Sequence, residues 1–282
     1  MHSIIQSTPV KLKIAGILYK LTKLFFRENK RIIQRRNIKF EIDLREGIDL
    51  SLFLFGSFQD HIYNSAYINI PKDGIIFDVG ANVGIMSHFF AIKVPDGKVH
   101  AFEPTHYALN KFKRNMDLNP ELKRCIELNN CFVSSESVEL SDMTAYSSWR
   151  IDGQEVLEEK KHEVHGGTAK DTAGISSISI DNYCKRYNIQ RVSLLKIDTD
   201  GYELEVLKGA KVTLLKFRPP IIFELCNYLL EERNIAFEEY IEFFNSINYK
   251  IYNANKSKEL TLSNYKKILP KNGGIDALAF PL

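Results

Sequence analysis

Residues 75–91, IIFDVGANVGIMSHFFA, decide the fold of this 282-residue chain. A short apolar strand runs into Asp78 and then into a glycine turn, and an amphipathic helix follows. Gly80 allows a tight turn that leaves room for a ligand, and Gly84 lets the helix begin close to the strand. Asn82 stands where nucleotide-binding loops often have their middle glycine, and asparagine tolerates positive φ well. The stretch therefore predicts a ligand-binding turn in a doubly wound sheet.

Strand and helix patterns alternate from this turn to the end of the chain. The apolar runs typical of strands are IIFDV (75–79), KVHAFEP (98–104), CIEL (125–128), SLLKID (193–198), PIIFEL (220–225), YKIYNA (249–254) and DALAFP (276–281). Helical patterns lie between most of them, for example FEEYIEFFNSI (237–247). This alternation predicts an α/β fold with a doubly wound, mainly parallel sheet and helices on both faces.

The first 70 residues are predicted to be an N-terminal extension of a domain that covers residues 71–282. Residues 10–36 have apolar residues at helical spacing and many lysines and arginines, which predicts a basic amphipathic helix. Such a helix either packs on the domain with a solvated basic face or contacts an anionic membrane or partner. Residues 38–55 alternate apolar and polar residues around Gly47, which predicts a short β-hairpin.

The alternation stops between residues 142 and 174. This polar stretch contains Trp149, the only tryptophan, together with His162 and His165. A long insertion in a compact domain is usually a disordered loop or a functional lid, and we expect a lid over the site here.

The charge and the cysteines indicate where the protein works. Residues 1–36 carry nine Lys/Arg and one acid, a net +8, which leaves −5 for the rest of a chain whose net charge is +3. The four cysteines are scattered, which suits a reducing compartment. No apolar run reaches the roughly 20 residues of a membrane span. We therefore expect a cytoplasmic protein that can lie peripheral to a membrane through residues 10–36.

The glycine turn favours an adenosine ligand without phosphates. Its spacing, D-x-G-x-N-x-G, is neither G-x-G-x-x-G nor that of a phosphate-binding P-loop. Asp78 ahead of the turn would repel a pyrophosphate but favour a cation, such as the sulfonium of S-adenosylmethionine. Glu103 ends the second strand, where it can accept hydrogen bonds from both ribose hydroxyls. There is a structural alternative for each acid. The backbone of the glycine turn can donate hydrogen bonds to Asp78, and Glu103 can lie at a helix N-terminus, where the helix dipole favours an acid.

Five segments together resemble the FkbM family of S-adenosylmethionine-dependent methyltransferases. They are IDLREGIDL (42–50), FDVGANVG (77–84), AFEP (101–104), LLKIDTDGYELEVLKGA (194–210) and PPIIFEL (219–225), and the resemblance runs from about residue 38 to the C-terminus. It implies a seven-stranded Rossmann-like methyltransferase fold and, most often, O-methylation of a hydroxyl on a sugar or a natural product. Two departures are Gln59 and Asp200, where similar proteins often have Glu.

Carboxylates at the ends of the fourth and fifth strands are the candidate catalytic groups. Asp198 ends SLLKID beside the expected switch in strand order, so it is the first choice for a general base and can also bind the cofactor. Asp200 and Glu203 follow it, and either bind substrate hydroxyls or cap the next helix. Glu224 is a candidate for catalysis or substrate binding, with a structural salt bridge as the alternative. Clustered carboxylates also suit a divalent metal, but no further ligand is identifiable, so no metal ligand is assigned.

Other polar residues have weaker assignments. Asn130 follows the third strand, where such folds contact the adenine, so it is assigned to the cofactor by analogy of fold. His61, His88 and His106 lie near the proposed rim without a defined role. Lys196, inside the fourth strand, is expected to reach a structural carboxylate.

The leading hypothesis is an O-methyltransferase of a glycan or a small hydroxylated metabolite. The alternatives are a methyltransferase of nitrogen or of another small-molecule group, and a binding protein that uses an inactive methyltransferase fold. A nucleic-acid substrate is not expected, because the core is acidic and has no N-P-P-Y-type tetrapeptide for a flipped base. A dehydrogenase would need a phosphate-tolerant glycine loop, which Asp78 opposes. The acceptor and the oligomeric state are not defined by these residues.

Overall fold

The computed structural model describes residues 8–135, 145–147, 150–151, 167–170, 172 and 174–282. The described strands are β1 Lys30–Arg35, β2 Ile38–Asp43, β3 Ile75–Val79, β4 Lys98–Phe102, β5 Ile126–Asn129, β6 Phe132–Val133, β7 Ala145–Ser147, β8 Thr168–Lys170, β9 Ser177–Ile178, β10 Leu194–Ile197, β11 Ile221–Cys226, β12 Tyr249–Asn253 and β13 Gly274–Pro281. The described helices are α1 Thr8–Phe25, α2 Gly47–Phe55, α3 Asp60–Tyr63, α4 Ile85–Lys93, α5 His106–Asp117, α6 Pro120–Lys123, α7 Ile180–Arg186, α8 Glu203–Lys208, α9 Lys211–Phe217, α10 Asn227–Glu232, α11 Phe237–Ser246 and α12 Tyr265–Ile268.

A seven-stranded sheet forms the centre of the molecule, in the order β12-β13-β11-β10-β3-β4-β5. The strands from β11 to β5 are parallel, while β13 pairs antiparallel with both β11 and β12. The chain leaves β3 for β4 on one side and reaches β10 on the other, so the order of strands switches beside β3. The predicted doubly wound, mainly parallel seven-stranded fold is confirmed.

The sheet is buried on both faces. Phe77 and Phe223 pack into one hydrophobic core, and their neighbours Ile76 and Ile222 pack into the other. This alternation follows from the two-residue period of a strand, and burial on both faces explains why these strands read as continuous apolar runs. The two cores hold the strand ends, and therefore the glycine turn, in fixed positions.

The N-terminal extension differs from its prediction. Helix α1 ends at Phe25, and the chain then forms the hairpin β1–β2, in which Arg35 is paired with Ile38. Arg36 and Asn37 both have positive φ, the conformation of a tight two-residue hairpin turn. The helix predicted over residues 10–36 is therefore too long, because this turn was not recognised.

The hairpin predicted over residues 38–55 is wrong in its second half. Gly47 begins helix α2 rather than a hairpin turn. In the run from Ile48 to Phe55 only Asp49 and Ser51 are polar, and the period of so short a run does not separate a helix from a strand. The outer edge of β2 is covered by α5 and the start of α6, since Asn115 and Asn119 accept hydrogen bonds from the backbone of Glu41 and Lys39.

Most of the insertion at residues 142–174 lies outside the described residues, as do Trp149, His162 and His165. Its described parts include β7 and β8, which pair antiparallel. The lid stays a prediction. Among the helices that the structure describes, none combines the length and the apolar character of a membrane span.

Candidate active site

A cavity of about 1180 Å³ opens at the carboxyl ends of the central strands. Its walls include the glycine turn, Glu103 after β4, Asp198 after β10 and Glu224 in β11. Residues of α1, α2 and α3 contribute to its outer part. Ligands of doubly wound sheets bind in this place, and cavities for one small molecule typically measure about 300–1,000 Å³. The cavity therefore has room for a nucleoside and a second molecule.

The glycine turn crosses the end of β10 at van der Waals contact. Gly80 has φ 73°, and a Cβ there would lie 1.8 Å from the backbone oxygen of Asp198. The backbone N–H groups of Gly80 and Ala81 both donate to Phe102 O, which fixes the turn on β4. Asn82 has φ 50°, which confirms its expected left-handed backbone. Gly80 and Asn82 both line the cavity.

Gly84, which the glycine turn also placed among the expected cofactor contacts, does not line the cavity, and that contact stays a prediction. It has φ 83°, and a Cβ there would lie 2.3 Å from the ring of Phe112 on α5. Glycine is needed at this position because α4 begins against that ring.

Asp78 does not line the cavity either, and its expected contact with the cofactor stays a prediction. Its side chain is fully buried; it accepts a hydrogen bond of 2.5 Å from Ser87 and lies 3.1 Å from Lys196 Nζ. Lys196 also donates to Gly80 O at 3.3 Å. The expectation that Lys196 reaches a structural carboxylate is confirmed, and Asp78 acts as its buried partner.

Glu103 is placed as predicted, at the end of β4 and on the cavity wall. Its Oε2 accepts from the Asn82 N–H at 2.9 Å, and its Oε1 accepts from the N–H and hydroxyl of Thr105. Burial raises the pKa of this carboxyl. The N-cap of α5 is Thr105, whose hydroxyl accepts from Ala108 N–H. Each carboxylate oxygen can accept two hydrogen bonds, so Oε2 retains one for a ligand hydroxyl.

Asn130 is not on the cavity wall, and its assignment to the cofactor stays a prediction. Its side-chain amide donates to the backbone oxygens of Glu103 and Pro104, both at 2.9 Å. It therefore holds the turn after β4 in place. The next residues, Cys131 and Phe132, line the cavity instead.

A cluster of four carboxylates lines one part of the cavity: Asp198, Asp200, Glu224 and Asp276. Burial raises the pKa of Asp200 and of Glu224 well above their ordinary values, and the negative charge of Asp198 raises both further. Because like charges raise each other's pKa, this end of the cavity favours a bound cation. The preference for a cationic ligand that was expected from Asp78 thus comes from other acids.

Asp198 follows β10 and is held at the cavity wall by two side chains. Gln59 Nε2 donates to Asp198 Oδ2 at 3.3 Å, and Lys196 Nζ lies 3.5 Å from the same oxygen. The side chain remains 28% exposed, so its carboxylate is open to the cavity. These contacts orient Asp198 without enclosing it.

Two side-chain oxygens on the cavity wall have no hydrogen-bond partner among the described residues. They are Gln59 Oε1 and Asn82 Oδ1, and both are buried. Buried polar atoms are rarely left without a partner, so these oxygens mark places where donors of a bound molecule belong.

Glu203 has a structural role in its own loop, and its assignment to the substrate stays a prediction. It is buried away from the cavity and accepts from the N–H groups of Thr199 and Gly201, at 2.8 and 3.2 Å. It thereby shapes the loop in which Asp200 has φ 51° and faces the cavity.

One pair of cavity residues was missed from the sequence. His61 Nε2 lies 2.5 Å from Asp276 Oδ2, and Asp276 is directly opposite Glu224 in the register of β11 and β13. The hydrogen bond to Asp276 raises the pKa of His61. The pair joins residues 215 positions apart, and the sequence indicated the last strand without its direction.

The other two histidines that were expected near the rim, His88 and His106, lie outside the cavity wall. His88 is buried between the rings of Phe40 and Phe112, and burial lowers its pKa. His106 begins α5. Within the described residues, no group of three or more His, Cys, Asp or Glu side chains is arranged to hold a metal ion.

The sheet order, the glycine turn and the acid at the end of the next strand define a Rossmann-like fold with its site at the carboxyl ends of the strands. Within this class the chain belongs to the methyltransferase FkbM domain family, whose model matches residues 78–251.

Several curated proteins are similar to the chain. Methyltransferase sdnD of Sordaria araneosa is 32% identical over 173 residues, which are 54% of this chain and 65% of that protein. The 31-O-demethyl-FK506 methyltransferase FkbM of Streptomyces tacrolimicus is 26% identical over 55% of this chain and 66% of its own length. The hexuronic acid methyltransferase AglP of Haloferax volcanii is 25% identical, over 49% of this chain and 50% of its own. The match thus spans one half to two thirds of each relative.

A solved structure is also similar, the methyltransferase FkbM of Methylobacillus flagellatus KT. It is 15% identical with a TM-score of 0.47, and the match covers 77% of this chain and 45% of that one.

Proposed function

We propose that this protein is an S-adenosylmethionine-dependent O-methyltransferase whose acceptor is a hydroxyl group of a sugar or a small natural product. The observation that carries the proposal is that one cavity wall joins two kinds of lining. The glycine turn and Glu103 form one part of it, and the carboxylate cluster, which begins at Asp198 beside Gly80, forms the neighbouring part, called here the carboxylate end. The first suits a nucleoside, and the second suits a cation beside a hydroxylated acceptor.

The residues of the cavity fit the cofactor. Glu103 Oε2 has a free acceptor position for a ribose hydroxyl, and Asn82 Oδ1 and Gln59 Oε1 are buried oxygens that require donors. Gly80 keeps the turn open, because any side chain there would collide with β10. When bound, S-adenosylmethionine supplies a methyl group on a positively charged sulfur, which an oxygen atom displaces in line.

The carboxylate end would hold the cationic part of the cofactor. Asp200 and Glu224 have pKa values raised by burial and by neighbouring negative charge, so a cation placed between them relieves repulsion. Asp198 is nearest to the glycine turn, whose Gly80 contacts its backbone. It would therefore stand between the cofactor and the acceptor.

Asp198 is proposed to accept the proton of the acceptor hydroxyl. As the oxygen forms its bond to the methyl carbon, the carbon–sulfur bond breaks and its electron pair stays on sulfur. The hydroxyl proton passes to Asp198, which returns it to water after product release. Gln59 and Lys196 hold Asp198 in position for this step. A positioned base of this kind typically contributes about 10²- to 10⁴-fold to the rate.

The part of the carboxylate end that would hold the acceptor favours hydroxyl groups. Glu224 and Asp276 lie side by side there and accept hydrogen bonds when ionised, while a carboxylate on the acceptor would meet their negative charge. Two relatives, AglP and FkbM, are named as methyltransferases of a hexuronic acid and of 31-O-demethyl-FK506. Sugars and natural products are therefore the acceptor classes to test, with neutral sugars first.

Methyl transfer from isotopically labelled S-adenosylmethionine tests the proposal. The protein is incubated with panels of neutral sugars, uronic acids, hydroxylated natural products and amines, and the product is identified by mass spectrometry. We expect a labelled methyl ether that resists mild alkali, with little label in Asp198→Asn. Label on nitrogen, or a methyl ester that alkali removes, would contradict O-methylation of a hydroxyl.

A further inference from the structure

Helix α1 has two faces with different surroundings. Its inner face contributes Ile14, Ala15 and Leu18 to the wall of the cavity. On the outer side, Ile17, Leu21, Leu24 and Phe25 are 60%, 51%, 76% and 80% exposed. We call these four residues the outer stripe.

The outer stripe is a continuous patch. Ile17, Leu21 and Leu24 follow one another at intervals of four and three residues, so they lie on one side of the helix, with Phe25 beside them. Contiguous exposed apolar surface of this kind marks an interaction site. Since α1 already packs against α2 through its other side, the stripe is available to a partner outside the domain.

Basic side chains surround the outer stripe. Lys13 and Lys20 are exposed and lie next to Ile17 on the helix, at intervals of four and three residues. Arg27 and Lys30 follow the end of α1 and are also exposed, and Glu28 is the only acid in the first 36 residues. The partner must therefore combine negative charge with an apolar interior.

We propose that α1 docks this protein on an anionic lipid bilayer, with the outer stripe inserted among the acyl chains and the lysines at the headgroups. An amphipathic helix with large apolar residues on one face and lysines beside them binds in the plane of a membrane surface. Each basic residue near anionic lipid adds to this attraction. A nucleic acid would match the charge but not the apolar stripe.

A second copy of the chain fits this surface less well. A symmetric contact through the outer stripe would bring the same lysines of both copies together, and like charges would repel. A bilayer has the opposite charge and no such conflict.

Docking would place the cavity at the membrane surface. The same helix carries the outer stripe and part of the cavity wall, and a helix with its side chains is about 10–12 Å across. The cavity would therefore lie within about one helix diameter of the lipid headgroups. This inference concerns location only, and it does not depend on which acceptor is methylated.

The test is co-sedimentation of the full chain with vesicles. One set contains phosphatidylcholine alone and the other contains added phosphatidylglycerol, each at low and high salt. The first variant carries Leu21→Glu and Leu24→Glu. Its control carries Val212→Glu and Leu215→Glu, which makes the same chemical change at exposed residues of α9. Circular dichroism and thermal melting confirm that both variants are folded.

We expect the wild-type protein and the α9 control to bind the anionic vesicles equally. The outer-stripe variant should lose at least about 100-fold in partition, since two leucines no longer enter the bilayer. Absence of binding to anionic vesicles at low salt would overturn the proposal. Equal binding by the outer-stripe variant would also overturn it, as would wild-type self-association that this variant abolishes without vesicle binding.

Discussion

Lys196 Nζ lies 3.1 Å from Asp78 Oδ1, in an ion pair that is almost wholly buried beside the glycine turn. The same ammonium group lies 3.5 Å from Asp198 Oδ2 and donates to Gly80 O. One lysine thus connects the strand before the turn, the turn itself and the proposed catalytic carboxylate. The acid of the D-x-G-x-N-x-G pattern acts here through a neighbouring side chain, and the ligand-facing charge belongs to Asp198.

The first prediction follows from this pair. Asp78→Asn should lower the free energy of unfolding by about 3 kcal/mol or more, because it removes the closer and fully buried partner of a buried lysine and leaves only the partly exposed Asp198. Asp73→Asn is the control: Asp73 pairs with Arg191 at the surface, both about half exposed, and its loss should cost less than about 1 kcal/mol. Urea unfolding measures both. If Asp78→Asn unfolds like the wild type but no longer binds S-adenosylmethionine, Asp78 contacts the ligand after all.

The second prediction concerns Glu103. Glu103→Gln should weaken S-adenosylmethionine binding by about 1–3 kcal/mol, because a charge-assisted hydrogen bond to the ribose is lost and the Asn82 N–H contact is disturbed. Glu127→Gln makes the same change at an exposed position of β5 and should leave the affinity unchanged. Calorimetric titration gives both values. An unaltered affinity in Glu103→Gln would remove Glu103 from the site.

The third prediction separates binding from chemistry at Asp198. Asp198→Asn should retain the fold and most of the affinity for S-adenosylmethionine but lose about 10²- to 10⁴-fold in turnover. Single-turnover transfer with saturating S-adenosylmethionine measures the chemical step. A parallel fall of affinity and turnover would mean that Asp198 mainly holds the cofactor. Wild-type rates would exclude it as the base, and Glu224→Gln would then be the variant to test.

The fourth prediction concerns pH. Asp200 and Glu224 have raised pKa values, so they bind protons in the free protein that a cationic ligand would displace. The affinity for S-adenosylmethionine should therefore rise as pH rises through these pKa values. S-adenosylhomocysteine has no sulfonium charge, and its affinity should change less. Titrations of both ligands over a pH series test this, and equal slopes would show that the acid cluster does not face the sulfonium.

The sequence predicted the sheet well because its strands are long apolar runs separated by helical patterns. It also predicted which residues lie at the carboxyl ends of those strands. Gly80, Asn82, Glu103 and Asp198 line the cavity for this reason, and Glu224 lines it from within β11, just before the strand ends at Cys226. Their positions depend on where each strand ends, and strand ends can be read from local composition.

The direction of a side chain at a strand end could not be predicted, since its partner is distant in sequence. Asp78 faces inward because Lys196 is there, and Asn130 turns toward the backbone of Glu103 and Pro104. Glu203 accepts a hydrogen bond from the Thr199 N–H of its own loop. In each case a residue that was expected to contact the ligand forms an ion pair or hydrogen bonds with a neighbouring group of the protein.

The pair of His61 and Asp276 is a contact that the sequence could not predict, again because the two residues are distant in sequence. Both line the cavity, but an α3 that precedes the sheet and a last strand that runs antiparallel bring them together. The sequence indicated the last strand without its direction or register. A contact across 215 positions needs both.

Calorimetric titration of the purified protein with S-adenosylmethionine, S-adenosylhomocysteine and NAD tests the central claim most directly, because it asks what the glycine turn and the acid cluster hold. We predict that the first two ligands bind with a Kd in the micromolar range, about −8 kcal/mol, and that NAD produces no binding heat. Binding of NAD, with none of S-adenosylhomocysteine or S-adenosylmethionine, would contradict the account.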